Sequence, residues 1–346
     1  MDFMPQQWYN DPMHRNWLNL ALIVVTALLL AGTALYNVVL IIQSRSEIPG
    51  LAEGPLPAAE ARHHIIVILP ETADPFVADL ALSIRETLLA GNSAPQIFRY
   101  ASGKERGSYI QEADRLFSLA LLARADGIIM FFLSEEPIPA FLEKARKAGI
   151  PCVPVSLDNP RSDDIPAVSS DSYLHGKAAA REAVSVLGRA ARIGVIMPFN
   201  GAGTLKTDSF LLGIRTALME QGAGTITSVI VEEDSVLGGE EAGLKLLEQY
   251  TETNVLICAS AQTSLSAAQL IVDKGLAGRV FLIGADETPE IARLLGKGIF
   301  QAVIVRDAAA IGKSAVGKLY EQISGSTAIG PVSVKPIIKR YGKMLP

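Results

Sequence analysis

The chain has 346 residues, of which 49% are hydrophobic and 19% are charged. This composition is too apolar for an intrinsically disordered protein, and the length allows about two domains. The 31 basic and 36 acidic residues give a formal net charge of −5, which lacks the basic excess typical of nucleic-acid-binding proteins. The two cysteines, Cys152 and Cys258, exclude a disulfide-rich scaffold and a four-cysteine zinc site. Both lie in apolar runs, which predicts buried thiols.

An apolar segment near the N-terminus predicts a membrane anchor. Residues 17–42 carry no charged side chain, and about 20 apolar residues cross a bilayer as a helix. A short tail, residues 1–16, precedes the segment. A cleavable signal peptide is the alternative, but its apolar region normally spans only about 7–15 residues. Residues 43–63 contain three prolines and two glycines and predict a linker. The flanking charges leave the orientation in the membrane open.

From residue 65 onward, short apolar runs alternate with amphipathic segments. The runs of strand length are residues 65–69, 97–100, 128–133, 152–157, 193–197, 226–231, 255–259, 280–284 and 302–305. The helix-like segments are residues 75–89, 107–124, 137–148, 173–188, 207–221, 238–250, 262–274 and 288–296. Several runs are apolar at successive positions, which is typical of parallel strands covered on both faces. The alternation predicts an α/β fold in which helices flank parallel sheets.

The spacing of the predicted strands repeats within the chain. Strands begin at residues 65, 97, 128 and 152 in the first half and at residues 193, 226, 255 and 280 in the second. The repeat predicts two similar lobes. Ligands of parallel sheets bind beyond the carboxyl ends of the strands, so two facing lobes would form a cleft lined by the residues that follow the strands. Those residues are rich in carboxylates and amides, which suit a polyhydroxylated or amine-bearing small molecule.

Several short segments, in this order and spacing, resemble a known family. They are IIVIL (65–69), DPF (74–76), ADGII (125–129), AGIP (148–151), VSLD (155–158), SSD (169–171), HGKAA (175–179), GAGT (201–204), IGADETP (283–289) and IG (311–312). Together they make residues 64 to about 340 similar to a type I periplasmic substrate-binding protein of the ribose-binding kind. No single segment is diagnostic, but their order over most of the chain is fairly specific.

The resemblance implies a domain over residues 64–341, built from two lobes that three crossovers join. Lobe one would be residues 64–168 plus 307–330, and lobe two would be residues 171–304 plus 332–341. Members of the family bind a small solute, often a sugar, by closing the lobes. The chain is then expected to be a membrane-anchored, extracytoplasmic protein that binds a sugar or related polyol and delivers it to an ABC-type importer. The alternative is a receptor that signals to a membrane histidine kinase or a chemoreceptor.

The resemblance also assigns ligand-binding positions. It places Asp74 and Phe76 after the first strand, and Asp158 and Asn159 after the fourth. The remaining candidates are Asp208, Asp234, Gln262, Asp286 and Arg306. Asn159 stands where ribose binders usually have an arginine, and Arg306 stands where the family often has a glutamine. Asp208 and Asp234 lie near positions where an arginine and an aromatic residue are expected. These departures point away from ribose and towards another polyol or a more cationic solute.

Each candidate also has a structural alternative. Asp74 precedes Pro75, and aspartate before proline is a common start of a helix. Phe76 could fill the core, and Asp158 and Asp286 could cap turns. Arg306 could pair with a structural carboxylate, and Asp208 and Asp234 could be solvated loop acids.

The sequence does not match the motifs of catalytic, cofactor-binding or metal-binding sites. The loop around residues 201–207 has Leu205 where a Walker A loop needs glycine, and Lys206 where the dinucleotide pattern needs its third glycine. The four histidines lack the clustering of a metal site, and no paired nucleophile and base is evident. We therefore expect neither a cofactor, nor a metal, nor an enzyme. A regulator of the lac-repressor type is disfavoured because residues 1–16 are too short for a helix-turn-helix.

Overall fold

The computed structural model describes residues 62–72, 74–101, 108–158, 162, 164–198, 205–233, 238–326 and 330–342; of residues 108 and 205–208 only the backbone is described. These residues belong to one compact unit, Ala59–Pro346. The predicted tail, the predicted anchor and nearly all of the predicted linker lie outside the described residues. Within the described part of the chain, no helix has the length and apolarity to cross a membrane.

The first sheet contains six strands, all of them parallel to their neighbours. They are β1 (His63–Glu71), β2 (Ser93–Ala101), β3 (Gly127–Phe132), β4 (Cys152–Ser156), β5 (Val168–Ser169) and β11 (Val332–Ser333). The order across the sheet is β11-β5-β4-β3-β1-β2. The strands with the longest apolar runs, β1 and β3, therefore lie inside the sheet.

The second sheet repeats this arrangement. Its strands are β6 (Arg192–Met197), β7 (Thr225–Val231), β8 (Val255–Cys258), β9 (Phe281–Ala285), β10 (Phe300–Val305) and β12 (Ile337–Arg340). The order is β12-β10-β9-β8-β6-β7, and the edge strand β12 is antiparallel to β10 while the other pairs are parallel.

Helices cover both faces of each sheet. Around the first sheet are α1 (Pro75–Ala90), α2 (Ser108–Leu122), α3 (Ile138–Ala148) and α9 (Ala308–Ile323). Around the second are α4 (Ser172–Leu187), α5 (Leu205–Gln221), α6 (Gly238–Gln249), α7 (Ala261–Asp273) and α8 (Pro289–Gly296). We call each sheet with its helices the first lobe and the second lobe.

The apolar runs explain why the sheets are buried on both sides. Successive side chains of a strand point to opposite faces. In β1, Ile65, Val67 and Leu69 pack in the cluster that includes α1 and α9. Ile66 and Ile68 pack on the other face with α2 and α3. A strand covered in this way must be apolar at consecutive positions, as the sequence pattern indicates.

The predicted α/β class and the two-lobed architecture are confirmed. The chain passes between the lobes after β5, after β10 and between β11 and β12. The sequence analysis did not predict α9, nor the strands β5, β11 and β12. The prediction of parallel sheets was also incomplete, because β12 is antiparallel.

Helices α4 and α5 pack with their backbones almost in contact. A Cβ atom added to Gly176 would lie 2.0 Å from the carbonyl oxygen of Phe210, and one added to Gly213 would lie 2.1 Å from the carbonyl oxygen of Tyr173. Only residues without a side chain allow this approach. The contact also positions His175, the neighbour of Gly176, at the end of the second sheet.

The close helix pair generates the first prediction. Gly176→Ala should lower the free energy of unfolding of the full-length chain by about 1–3 kcal/mol, because a backbone carbonyl cannot move aside for the methyl group. The matched control is Gly317→Ala in α9, where a Cβ meets no atom within 4 Å. That change should be neutral or stabilise by up to about 1 kcal/mol, since alanine favours a helix. Urea unfolding measures both variants, and equal effects would contradict the packing.

Candidate functional site

A cavity of about 190 Å³ lies where the carboxyl ends of strands from both lobes meet. The wall is formed by Asp74, Leu157, Ser170, Ser172, His175, Ala179, Met197, Pro198, Phe210, Cys258, Ala259, Ser260, Gly284, Ala285, Asp286, Ile304 and Arg306. Most of these residues end a strand or begin the helix that follows it. The position is the one where parallel sheets bind ligands.

A network of one guanidinium and two carboxylates forms one side of the cavity. The Nε atom of Arg306 donates to both carboxylate oxygens of Asp286, each at 3.0 Å. Its Nη2 atom donates to the two oxygens of Asp74 at 3.0 and 2.8 Å, and also to Asp286. Asp74 follows β1 in the first lobe, whereas Asp286 follows β9 in the second. Arg306 therefore connects the two lobes.

The network is mostly withdrawn from water. The exposed fractions of the side chains are 14% for Arg306, 7% for Asp286 and 33% for Asp74. Burial by itself lowers the pKa of Arg306, but the attraction of Asp286 and then of Asp74 outweighs it, so the pKa is raised above its usual value. The guanidinium therefore stays charged, and the buried carboxylate of Asp286 depends on it for compensation.

Phe76 supports the guanidinium from the first lobe. The central carbon of the Arg306 guanidinium lies 4.1 Å from the centroid of the Phe76 ring, within the range of a cation–π contact. Phe76 is buried and also packs edge-on against Phe131, with 6.3 Å between the ring centroids. Its ring does not line the cavity. The aromatic face predicted to stack on a ligand stacks on Arg306 instead.

Local backbone structure orients the two carboxylates. Asp74 is the N-cap of α1, and its Oδ1 atom accepts a hydrogen bond from the backbone N–H of Phe76 at 3.0 Å. Asp286 has a φ of +56°, a left-handed conformation that is uncommon for residues other than glycine. Its carboxylate also accepts from the backbone N–H of Arg306 at 3.1 Å. Asp286 therefore forms part of the turn after β9 and also pairs with the Arg306 side chain.

His175 is a cavity residue that the sequence analysis did not select. Its ring is 8% exposed and lines the cavity from the first turn of α4. The Nδ1 atom lies 3.1 Å from the carbonyl oxygen of Asp171, while Nε2 has no hydrogen-bond partner among the described residues. The available signal was its place in the HGKAA segment, four residues after the aspartate that caps the helix.

Asp158 and Gln262, the other predicted site residues with described side chains, are not among the residues that line the cavity. Asp158 is half-buried directly after β4, where Leu157 lines the cavity instead. Gln262 is exposed in the first turn of α7. Ser260 lines the cavity, because the N-cap residue lies at the sheet edge while the second helical residue turns outward. The backbone of Asp208 lies in α5, but its side chain is not described; Asn159 and Asp234 lie outside the described residues.

The prediction for the cysteines is confirmed, since Cys152 and Cys258 are both free and buried. Burial raises the pKa of the Cys258 thiol, so the group that lines the cavity is a neutral thiol rather than a thiolate. In the described part of the chain, no group of three or more histidine, cysteine, aspartate or glutamate residues is placed to hold a metal ion.

The fold and the cavity define a two-lobed small-molecule-binding protein. The family model described as "Periplasmic binding protein domain" matches residues 65–327. Because this match covers most of the chain, the chain belongs to the periplasmic binding protein family, whose members are binding proteins and not enzymes. A comparison with curated protein sequences finds no match.

Solved structures agree on the fold. GanP, described as a glucose-galactose binding protein from Geobacillus stearothermophilus, is 20% identical with a TM-score of 0.69; the match covers 82% of this chain and 98% of GanP. An ABC transporter periplasmic solute binding protein from Actinobacillus succinogenes, solved with bound D-allose, is 17% identical with a TM-score of 0.72, over 81% of this chain and 98% of that one. A structure described as the XylFII-LytSN complex is 19% identical with a TM-score of 0.67, over 82% and 99% of the chains.

The buried network generates the second prediction. Arg306→Gln should lower the free energy of unfolding at neutral pH by about 3–5 kcal/mol, because the Asp286 carboxylate is left buried without a compensating charge. The matched control is Arg293→Gln, which removes an exposed pair with Glu290 on one helix. That change should cost much less than Arg306→Gln, because solvent screens an exposed pair. Urea unfolding of the full-length chain compares the two variants. Similar small losses would show that the Arg306 network contributes no more than a surface pair.

Proposed function

We propose that the chain is a membrane-anchored, extracytoplasmic protein that binds a sugar or related polyol and delivers it to an ABC-type importer by closure of its lobes. The observation that carries the proposal is the cavity at the facing carboxyl ends of both sheets, with the Asp74–Arg306–Asp286 network in its wall.

The chemistry of the wall favours a neutral hydroxylated ligand. Carboxylate oxygens accept hydrogen bonds from hydroxyl groups, and a guanidinium donates to their oxygens. Arg306 offsets one of the two carboxylate charges, so the network has a formal charge of −1. This small residual charge gives a strongly cationic solute less attraction than two unpaired aspartates would. Met197, Phe210 and Ile304 provide apolar surface for the C–H groups of a sugar ring.

The size of the cavity favours a single small ring. Its volume of about 190 Å³ is below the roughly 300–1,000 Å³ typical of sites for drug-sized ligands. The similar structures support the same ligand class, since one is a glucose-galactose binding protein and another holds bound D-allose. The second of these also names an ABC transporter, which supports delivery to an importer.

Lobe closure would act through the interlobe network. Asp74 belongs to the first lobe, whereas Asp286 and Arg306 end strands of the second. A sugar that hydrogen-bonds to both sides would stabilise the arrangement in which these groups meet, and the crossovers after β5, after β10 and before β12 would serve as the hinge. The apolar segment at residues 17–42 supports attachment to the membrane, and membership of the periplasmic binding protein family supports a position outside the cytoplasm.

Signalling is the second candidate. One similar structure is a complex of XylFII with LytSN, which supports a role in which a sugar-binding domain of this fold contacts another protein. A receptor of this kind would signal to a membrane histidine kinase or chemoreceptor. The two roles differ in cells: deletion of the gene should abolish uptake of the bound sugar if the chain serves an importer, and should leave uptake intact if it only signals.

The third prediction tests the ligand class. The full-length chain, in a detergent without a sugar headgroup, is unfolded thermally with D-glucose, D-galactose, D-allose, D-arabinose, D-ribose, spermidine or an amino acid mixture. A ligand at about 100 times its Kd stabilises the folded state by about 2.7 kcal/mol, so at least one sugar should raise the Tm by a few degrees. Asp286→Asn should abolish the shift, because it removes a charged acceptor from the wall.

The control for this prediction is Glu290→Gln, which changes an exposed carboxylate on α8 and should preserve the sugar-dependent shift. A shift with spermidine or amino acids alone would contradict the sugar proposal. An equal shift in the Asp286→Asn variant would place the sugar outside this cavity.

A further inference from the structure

The imidazole of His175 is placed as a buried acceptor in the wall of the cavity. The backbone N–H of His175 and its Nδ1 atom both lie within hydrogen-bond distance of the carbonyl oxygen of Asp171, at 3.2 and 3.1 Å. A carbonyl oxygen can only accept, so Nδ1 carries the proton. A neutral imidazole has one N–H and one lone pair. The lone pair is therefore on Nε2, the atom without a partner among the described residues.

The surroundings keep this ring neutral. Burial lowers the pKa of His175 below its ordinary value, and the backbone hydrogen bond of Asp171 only partly offsets it. The charged groups that act on the ring are Asp171 on its own helix, Asp286 after β9 and Arg306 after β10. From β8 the titratable neighbour in the cavity wall is Cys258, whose buried thiol is neutral.

A buried acceptor without a partner is costly, and native structures normally satisfy such groups. Among the polar groups in the wall, the hydroxyls of Ser170 and Ser260 already have protein partners. His175 borders the same cavity, but its Nε2 atom has no hydrogen-bond partner among the described residues. A bound group that donates a hydrogen bond would satisfy it.

We infer that His175 is a ligand-binding residue whose neutral Nε2 accepts a hydrogen bond from a hydroxyl group of the bound sugar. This inference rests on the proposed function and extends its site from the Arg306 network to the first turn of α4. It also makes binding sensitive to pH. A proton on Nε2 removes the lone pair, so affinity should be full at neutral pH and should decline only as the pH approaches and falls below the pKa of His175, which burial holds below the ordinary imidazole value of about 6.5.

The test measures the Kd of the full-length chain by calorimetry, with whichever of D-glucose, D-galactose, D-allose, D-arabinose and D-ribose raises the Tm most. Two variants are compared with the wild type over a pH series from 7.5 down to 4. His175→Leu removes the acceptor and should weaken binding about tenfold or more at pH 7.5, since the sugar hydroxyl loses its partner. His175→Gln keeps an acceptor that does not titrate, so it should bind more tightly than the leucine variant and lose the pH dependence seen in the wild type.

The matched control is His64→Gln. His64 lies at the start of β1, bonded to Gln96 and away from the cavity, so this variant should keep both the affinity and the pH dependence of the wild type. The Tm of each variant without sugar shows whether it is folded; should His175→Leu be unfolded, the pH dependence of His175→Gln decides.

Three results overturn the inference in distinguishable ways. If the wild type binds a sugar and His175→Leu binds it equally well, His175 is not a ligand contact, although the proposed function stands. If His175→Gln shows the same loss of affinity at low pH as the wild type, another group titrates and the acceptor role is wrong. If the wild type binds none of the five sugars, the proposed function fails and the inference fails with it.

Discussion

A single buried guanidinium holds two carboxylates that come from different lobes. Arg306 contacts Asp74 from the first lobe and Asp286 from the second, and its planar face lies on the ring of Phe76. Arginine suits this position because its fork of donors can serve both carboxylates while one face stacks on an aromatic ring. Because Asp286 is almost fully buried, the arrangement of the cavity wall depends on that one charge.

The rest of the fold brings these groups to the same place. Parallel strands covered on both faces end along one edge, and the helices that follow start there with polar caps such as Asp74 and Ser260. The glycine contact between α4 and α5 brings the second lobe's helices close enough for His175 and Phe210 to border the same cavity. The polar part of the wall therefore comes from the strand ends and helix caps, and the close packing of α4 and α5 adds His175 and the apolar side chain of Phe210.

The sequence predicts those strands and helices that a pattern of neighbouring residues determines, and it does not predict those that depend on distant segments of the chain. The nine apolar runs correspond to strands because burial on both faces requires consecutive apolar residues. The strands β5, β11 and β12 have only two to four residues and exist through pairing with distant segments, which no local pattern reveals. Helix α9 was missed although the segment around Ile311 and Gly312 contributed to the family resemblance.

For the site, the sequence points to the three residues of the network, Asp74, Asp286 and Arg306, but does not show that Arg306 pairs with both carboxylates. Asp74 and Arg306 are more than 200 positions apart in the chain. Their pairing depends on how the two lobes meet, so the sequence around either residue does not indicate it. The exact start of α7 decides which side chain faces the cavity, and this places Ser260 in its wall while Gln262 is exposed. His175, which lines the cavity, was not selected because a lone histidine in a helix carries no local signal of its position in the fold.

The central claim is that Arg306 couples the two lobes and that a sugar stabilises their closed arrangement. The most direct measurement is the distance between spin labels on Leu122→Cys in the first lobe and Met219→Cys in the second, two exposed positions, while the native cysteines are buried. We expect a distance distribution that narrows when the identified sugar is added and broadens in the Arg306→Gln variant without sugar. A distribution that neither the sugar nor the substitution changes would contradict the account.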